Sequence, residues 1–239
     1  MPADYDGDGK TDLAVYRPTT GQWLIRRSTA GAQVVDFGGP GIDQPVAGDF
    51  DGDGKADIAL YRKSTGQWLI LGTTSGPRAV AFGAPGLDAP VPADYDGDGT
   101  TDLAVYRPTT SQWLIRQSTA GARVVAFGGP GLDQPVPADY DGDGKADVAV
   151  YRKSTGQWLI LQSTAGPRLV DFGQAVVDVP IASPLAYTYP ANVHTFGIQT
   201  SNPVAASPRK TPAPAVSPRG RARRVACRPA GHHRVILTS

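Results

Sequence analysis

One acidic loop recurs four times at a fixed spacing of 45 residues, and any fold for this chain must be built from that unit. The copies read DYDGDGKTD from Asp4, DFDGDGKAD from Asp49, DYDGDGTTD from Asp94 and DYDGDGKAD from Asp139. Each sets Asp at loop positions 1, 3, 5 and 9 and Gly at positions 4 and 6. Carboxylates crowded into one tight loop repel one another, by ~1 kcal/mol per pair at 4 Å in water and ~4 kcal/mol at an effective dielectric of 20. Such a loop, repeated four times, expects a cation. A donor set made only of oxygen suits a hard ion, calcium best, so about four calcium sites are expected.

The rest of the composition belongs to the same repeat. The chain has 239 residues with 22 Asp and no Glu; 16 of the Asp lie in the four loops. Asp43, Asp88, Asp133 and Asp178 recur at the same period. Residues 2–46 and 92–136 differ at only six positions, so each unit packs against near-copies of itself. The lone cysteine, Cys227, leaves no intrachain disulfide. No apolar run approaches the ~18 residues of a membrane span, so no membrane span is expected. The start, MPADYDGDGK, is not a signal peptide.

Within a repeat every local signal is strand or turn. In the second, DIALYR (57–62) reads as a strand, KSTG (63–66) as a hairpin turn, QWLIL (67–71) as the returning strand and RAVAF (78–82) as a further strand. A leading strand before the acidic loop makes four. Four short antiparallel strands in 45 residues match a propeller blade. The expected fold class is therefore all-β: a β-propeller-like array of four 45-residue, four-stranded blades at about 1–44, 45–89, 90–134 and 135–179. Both ends of the repeat domain, 1–183, look cut. Met1–Asp4 enters midway through a leading strand, and DVPIAS (178–183) copies that strand without a loop after it, as a closing strand for an otherwise incomplete ring. Residues 184–200 are degenerate. Residues 201–239 carry eight Lys or Arg and no acid, and read as a disordered basic tail rich in Pro, Ala and Arg. Residues 1–200 carry 15 basic and 22 acidic side chains, so the repeat domain is not expected to bind nucleic acid.

The Phe-Gly followed by Gly-Pro or Ala-Pro at 37–40, 82–85 and 127–130, together with the DxDGDGxxD loop, resembles the FG-GAP repeats, and specifically the bacterial VCBS/FG-GAP-like type. The integrin α-subunit head is a more distant relative of that family. The resemblance covers residues 2 to about 180. It implies a calcium-binding β-propeller, mostly extracellular or on the cell surface, serving adhesion, ligand binding or scaffolding. It also implies the ligand set: Asp4, Asp6, Asp8 and Asp12 with the Lys10 carbonyl; Asp49, Asp51, Asp53 and Asp57 with the Lys55 carbonyl; Asp94, Asp96, Asp98 and Asp102 with the Thr100 carbonyl; and Asp139, Asp141, Asp143 and Asp147 with the Lys145 carbonyl. The loop resembles the first half of an EF-hand, but its twelfth position is Val15, Leu60, Val105 or Val150 where an EF-hand needs a bidentate Glu.

Two further readings follow from the residues. Trp23, Trp68, Trp113 and Trp158, with the repeated Tyr-Arg pairs, are either blade-packing core or, in an alternative lectin-like reading, carbohydrate subsites. An enzyme is not expected: the repeats hold no His, Cys or Glu, and catalytic groups are normally unique and not copied four times. The expected partner is an unidentified protein or polysaccharide, with self-association as a way to complete the ring.

Overall fold

A computed structural model describes residues 2–181 of the chain. The basic tail, the degenerate segment and the last two residues of the closing strand lie outside the described residues. The described part is all-β, with no helix, and forms four separate antiparallel sheets with propeller-like, blade-by-blade order. The first comprises β1 (Leu13–Arg17), β2 (Gln22–Arg27) and β3 (Gly31–Asp36); the second β4 (Gln44–Gly48), β5 (Asp57–Arg62), β6 (Gln67–Gly72) and β7 (Gly76–Ala81). The third comprises β8 (Ala89–Pro90), β9 (Leu103–Arg107), β10 (Gln112–Gln117) and β11 (Gly121–Ala126); the fourth β12 (Asp133–Pro135), β13 (Val148–Arg152), β14 (Gln157–Gln162) and β15 (Gly166–Asp171). No helix among the described residues is long and apolar enough to cross a membrane.

One expectation needs correction. The first blade has three strands, not four: β1 pairs only with β2, and all that stands on its other edge is an isolated bridge from Ala3 to Asp12. The closing strand expected at 178–183 does not pair with β1 in the described residues.

The period-two pattern of each sheet sends two apolar sets to opposite faces. In the first sheet Tyr16 lies opposite Trp23 and Ala14 opposite Ile25, giving one face. Leu13 and Val15 point to the other. The Trp face of one sheet packs on the Leu/Val face of the next. Thus Ala14, Trp23 and Ile25 cluster with Ile58 and Leu60; Tyr61, Trp68 and Ile70 with Leu103 and Val105; and Tyr106, Trp113 and Ile115 with Val148 and Val150. Both faces of an inner sheet are therefore apolar because both are covered, and the core is three such interfaces in series. Burial of the Tyr61 hydroxyl in one of them pushes its pKa up to about 12.

Two devices act within the blades. The Asp at the head of each leading strand accepts hydrogen bonds from Nε and Nη2 of the Arg opposite it: Asp43 from Arg62 (2.8 and 2.9 Å), Asp88 from Arg107 (2.8 and 3.0 Å) and Asp133 from Arg152 (2.8 and 2.8 Å). These carboxylates are wholly buried, so their charge demands that partner. The Phe-Gly motif is the second device. The carbonyl of Phe82 accepts a bond from Trp68 Nε1 at 2.8 Å, and the next residue, Gly83, adopts φ +128°. A Cβ there would lie 2.5 Å from the Tyr61 hydroxyl, so the motif needs glycine for backbone and for space.

Candidate metal centre

The acidic loops precede β1, β5, β9 and β13, and their own carboxylates shape them. In the first, Asp4 Oδ1 accepts the Gly7 amide at 2.7 Å and Asp4 Oδ2 the Gly9 amide at 2.8 Å; Asp8 Oδ1 accepts the Lys10 amide at 2.8 Å. These turns require positive φ at Gly7 (+76°) and Gly9 (+81°), which glycine adopts without penalty. The same bonds recur at Asp49, Asp94 and Asp139.

The ninth-position carboxylates, Asp12, Asp57, Asp102 and Asp147, are buried under the loops. Each ties the loop to the sheet behind it. Asp57 Oδ2 accepts the Phe50 amide (2.9 Å) and its Oδ1 the Thr73 amide (2.8 Å), and the other three repeat this. Burial pushes Asp102 up to about 6, against the two amides that lower it, with the Asp96 and Asp94 charges adding to the rise.

A third group of residues completes the site, and the sequence reading had not singled it out. The Ser/Thr-Thr dipeptide in the turn after the Trp-bearing strand of each blade closes over the acidic loop. Thr73 Oγ1 donates to Asp53 Oδ2 at 2.6 Å, and Thr74 donates to Asp51 Oδ2 from its hydroxyl (2.9 Å) and its amide (3.0 Å). Ser28-Thr29, Ser118-Thr119 and Ser163-Thr164 do the same. The 45-residue recurrence of these hydroxyls is the signal that could have found them. Burial raises the Asp51 carboxyl, but the Ser75 and Thr74 donors outweigh it and hold the group at about 2. Donors therefore keep this inner carboxylate ionised while burial favours the proton on the equivalent of its ninth-position neighbour.

What remains is a set of oxygens with room for a positive charge. Asp4, Asp6 and Asp8 bring one oxygen each within 4.8 Å of the others, as do Asp49, Asp51 and Asp53. In the third and fourth loops the converging trios are Asp94, Asp96 and Asp102, and Asp139, Asp141 and Asp147. Every third-position carboxylate is lopsided: Oδ2 accepts the turn donors, whereas Oδ1 of Asp6, Asp51, Asp96 and Asp141 is buried with no hydrogen-bond partner. A buried anionic oxygen left unpaired costs well over 1 kcal/mol. The same atom is left unpaired in all four loops, and each of these acidic clusters could hold a metal ion. Lys10 reaches Asp8 at 3.1 Å from an exposed position.

The tryptophans lie elsewhere. Trp23, Trp68 and Trp113 are completely buried between sheets, so three of the four carbohydrate platforms in the alternative reading offer no free ring face. Only Trp158 is partly exposed. Each packs tilted on the Tyr across from it, with centroids 5.2–5.4 Å apart.

No curated protein matches the chain. Among solved structures it is similar to a virginiamycin B lyase from Staphylococcus aureus, at 8% identity and a TM-score of 0.49, covering 72% of this chain and 55% of that one. It is also similar to a streptogramin B lyase, at 9% identity and a TM-score of 0.47, covering 73% of this chain and 70% of that one. The FG-GAP-like repeat model matches residues 4–60 and 94–150. Each match runs from one acidic loop through its blade and the next loop into the strand that follows. With loop, blade and family model in register twice over, the chain contains repeats of the FG-GAP-like family.

Proposed function

We propose that the four loops bind calcium and that the repeat domain is an extracellular interaction, adhesion or scaffold module, not an enzyme. The observation that carries this reading is the unpaired, buried Oδ1 of Asp6, Asp51, Asp96 and Asp141, each beside two more carboxylates with an oxygen within 4.8 Å. Oxygen donors, a high carboxylate count and turns already shaped by glycine fit a hard divalent ion. The Asp residues at positions 1, 3, 5 and 9 of each loop, with the carbonyls of Lys10, Lys55, Thr100 and Lys145, would hold it. Calcium would neutralise charge that otherwise pushes each loop apart. The blades then serve as a rigid support whose outer surface meets a protein or polysaccharide. The lectin-like alternative loses weight because three of its four tryptophans are inside the core.

Calorimetric titration of the full chain with calcium tests the proposal. Four sites are expected, with dissociation constants of roughly 10⁻⁴–10⁻³ M, the range of extracellular modules. Asp51→Asn should remove one site and leave three. At one hundred times the dissociation constant each site should add ~2.7 kcal/mol of stability. A melting curve that is the same in EDTA and in ~10 mM calcium, above the weak-site range, would overturn the reading.

A further inference from the structure

Each sheet packs on the next, and the acidic loops at their ends are joined as well. The amide of Ala56, in the second loop, donates at 2.6 Å to the main-chain carbonyl of Asp4, the first residue of the first loop. Thr101 donates to Asp49 and Ala146 to Asp94 in the same way, again at 2.6 Å. Among the described residues these are the shortest backbone hydrogen bonds outside the strands. Side chains follow the same contact. A Cβ on Gly7 would lie 2.9 Å from Cε of Lys55, one on Gly52 3.0 Å from the Thr100 hydroxyl and one on Gly97 3.0 Å from Cγ of Lys145. The seventh residue of a loop therefore lies across the glycine turn of the loop before it. The four loops form a row in chain order, and among the described residues no equivalent bond joins the fourth to the first.

Each of these bonds ends on backbone that shapes a candidate site. Asp4 sends its two carboxylate oxygens to the amides of Gly7 and Gly9, so its main chain anchors the turn of the first loop. Ala56 stands between Asp53 and Asp57, and its N–H belongs to the same peptide unit as the Lys55 carbonyl. A peptide whose carbonyl faces a cation is polarised, and its N–H becomes the stronger donor; a well-bound N–H in turn makes the carbonyl a better ligand. Charge acts in the opposite sense, since two filled loops bring cations toward each other. The sign of any coupling therefore tells the two effects apart.

We propose, resting on the calcium reading above, that neighbouring loops fill cooperatively: a divalent cation in one loop raises the affinity of the loops hydrogen-bonded to it, through the Lys55–Ala56, Thr100–Thr101 and Lys145–Ala146 peptides. Such a coupling is reciprocal, so each link acts in both directions. An inner loop left empty cuts the links on both its sides.

The test is a calcium titration of the full chain, followed site by site on the amide signals of Gly9, Gly54, Gly99 and Gly144. Asp6→Asn should empty the first loop, raise the calcium midpoint at Gly54 about fivefold, and shift Gly99 less and Gly144 least. Asp51→Asn should weaken the loops on both sides, read at Gly9 and Gly99. A Gly144 signal unchanged before calcium is added reports that each variant is folded. Hydrogen exchange at saturating calcium localises the cause: in Asp6→Asn the Ala56 amide should exchange faster, while the Ala146 amide keeps its rate. The midpoint shifts should survive ~1 M sodium chloride, where the Debye length is ~3 Å. Unchanged midpoints at the remaining sites would overturn the coupling and leave the calcium reading standing. Tighter binding at Gly54, or a shift lost in salt, would overturn it too, because charge and not the peptide would then decide. No calcium response at any of the four glycines would overturn both.

Discussion

The first and second blades carry the same loop and strand pattern in two different settings. Leu13 and Val15 are 67% and 60% exposed; their counterparts Ile58 and Leu60 are 8% and 0% exposed. Arg17 hydrogen-bonds a neutral Gln22, whereas Arg62 grips the buried Asp43. The third blade repeats the LAVYR strand of the first unchanged, yet its Leu103 and Val105 are buried, so the strand's own sequence does not account for the change. The second blade has a leading strand and a preceding sheet, and the first has neither among the described residues. Burial in a repeat array is therefore a property of the neighbour, which is what a nearest-neighbour account of such arrays requires.

The comparison breaks or holds in a series of paired substitutions, read by urea unfolding at a concentration too low for copies to associate. The largest effect is expected at the clamp. Arg62→Ala leaves a carboxylate buried without its partner and should cost ~3–5 kcal/mol, while Arg17→Ala should stay within ~0.5 kcal/mol. Equal losses at both positions would mean that Arg17 already has a hidden acidic partner.

Next come the packing residues. Leu60→Ala empties a filled interface and should cost ~2–5 kcal/mol. Val15→Ala, at the same place in the first blade, should again fall within ~0.5 kcal/mol. A costly Val15→Ala would show that its face is covered in the monomer.

Gly83→Ala forces a Cβ toward the Tyr61 hydroxyl and should lose ~1–3 kcal/mol by overpacking. Adding Tyr61→Phe should return part of that loss, since the clash is with the oxygen. A double variant no better than the single one would assign the glycine to its backbone angle alone.

The smallest effect has the opposite sign. Ser111 holds φ +54° where Gly21, Gly66 and Gly156 stand in the other blades. Ser111→Gly should therefore stabilise the third blade by ~1 kcal/mol. A loss on that substitution would mean that the serine side chain, which is buried, contributes more than the strain removes.

Much of this molecule can be read from one repeat. Alternating apolar residues in DIALYR and QWLIL, with KSTG between them, specify a hairpin, because side chains alternate across a strand and glycine closes the turn. The acidic loops follow from local chemistry too: an Asp at position 1 folds back on amides three and five residues on, with no help from elsewhere. The donors from Thr73 and Thr74 could not be read this way. They lie 20 and 23 residues from the carboxylates they meet, and only the return of the QWLIL strand brings them over the loop.

What the sequence by itself determined is the unit: its strands, its turns, its loop and its period, all set by contacts within a few residues. What the tertiary structure alone decided is which copies of the unit are finished. Among the described residues, the same Leu/Val stripe is core in three blades and surface in the first, and the same Asp is clamped by an Arg three times and left without one at Asp178. Local propensity is indifferent to that distinction. It arises because half of each interface belongs to the next sheet, and a sheet's neighbour is a matter of position in the array and not of its own residues.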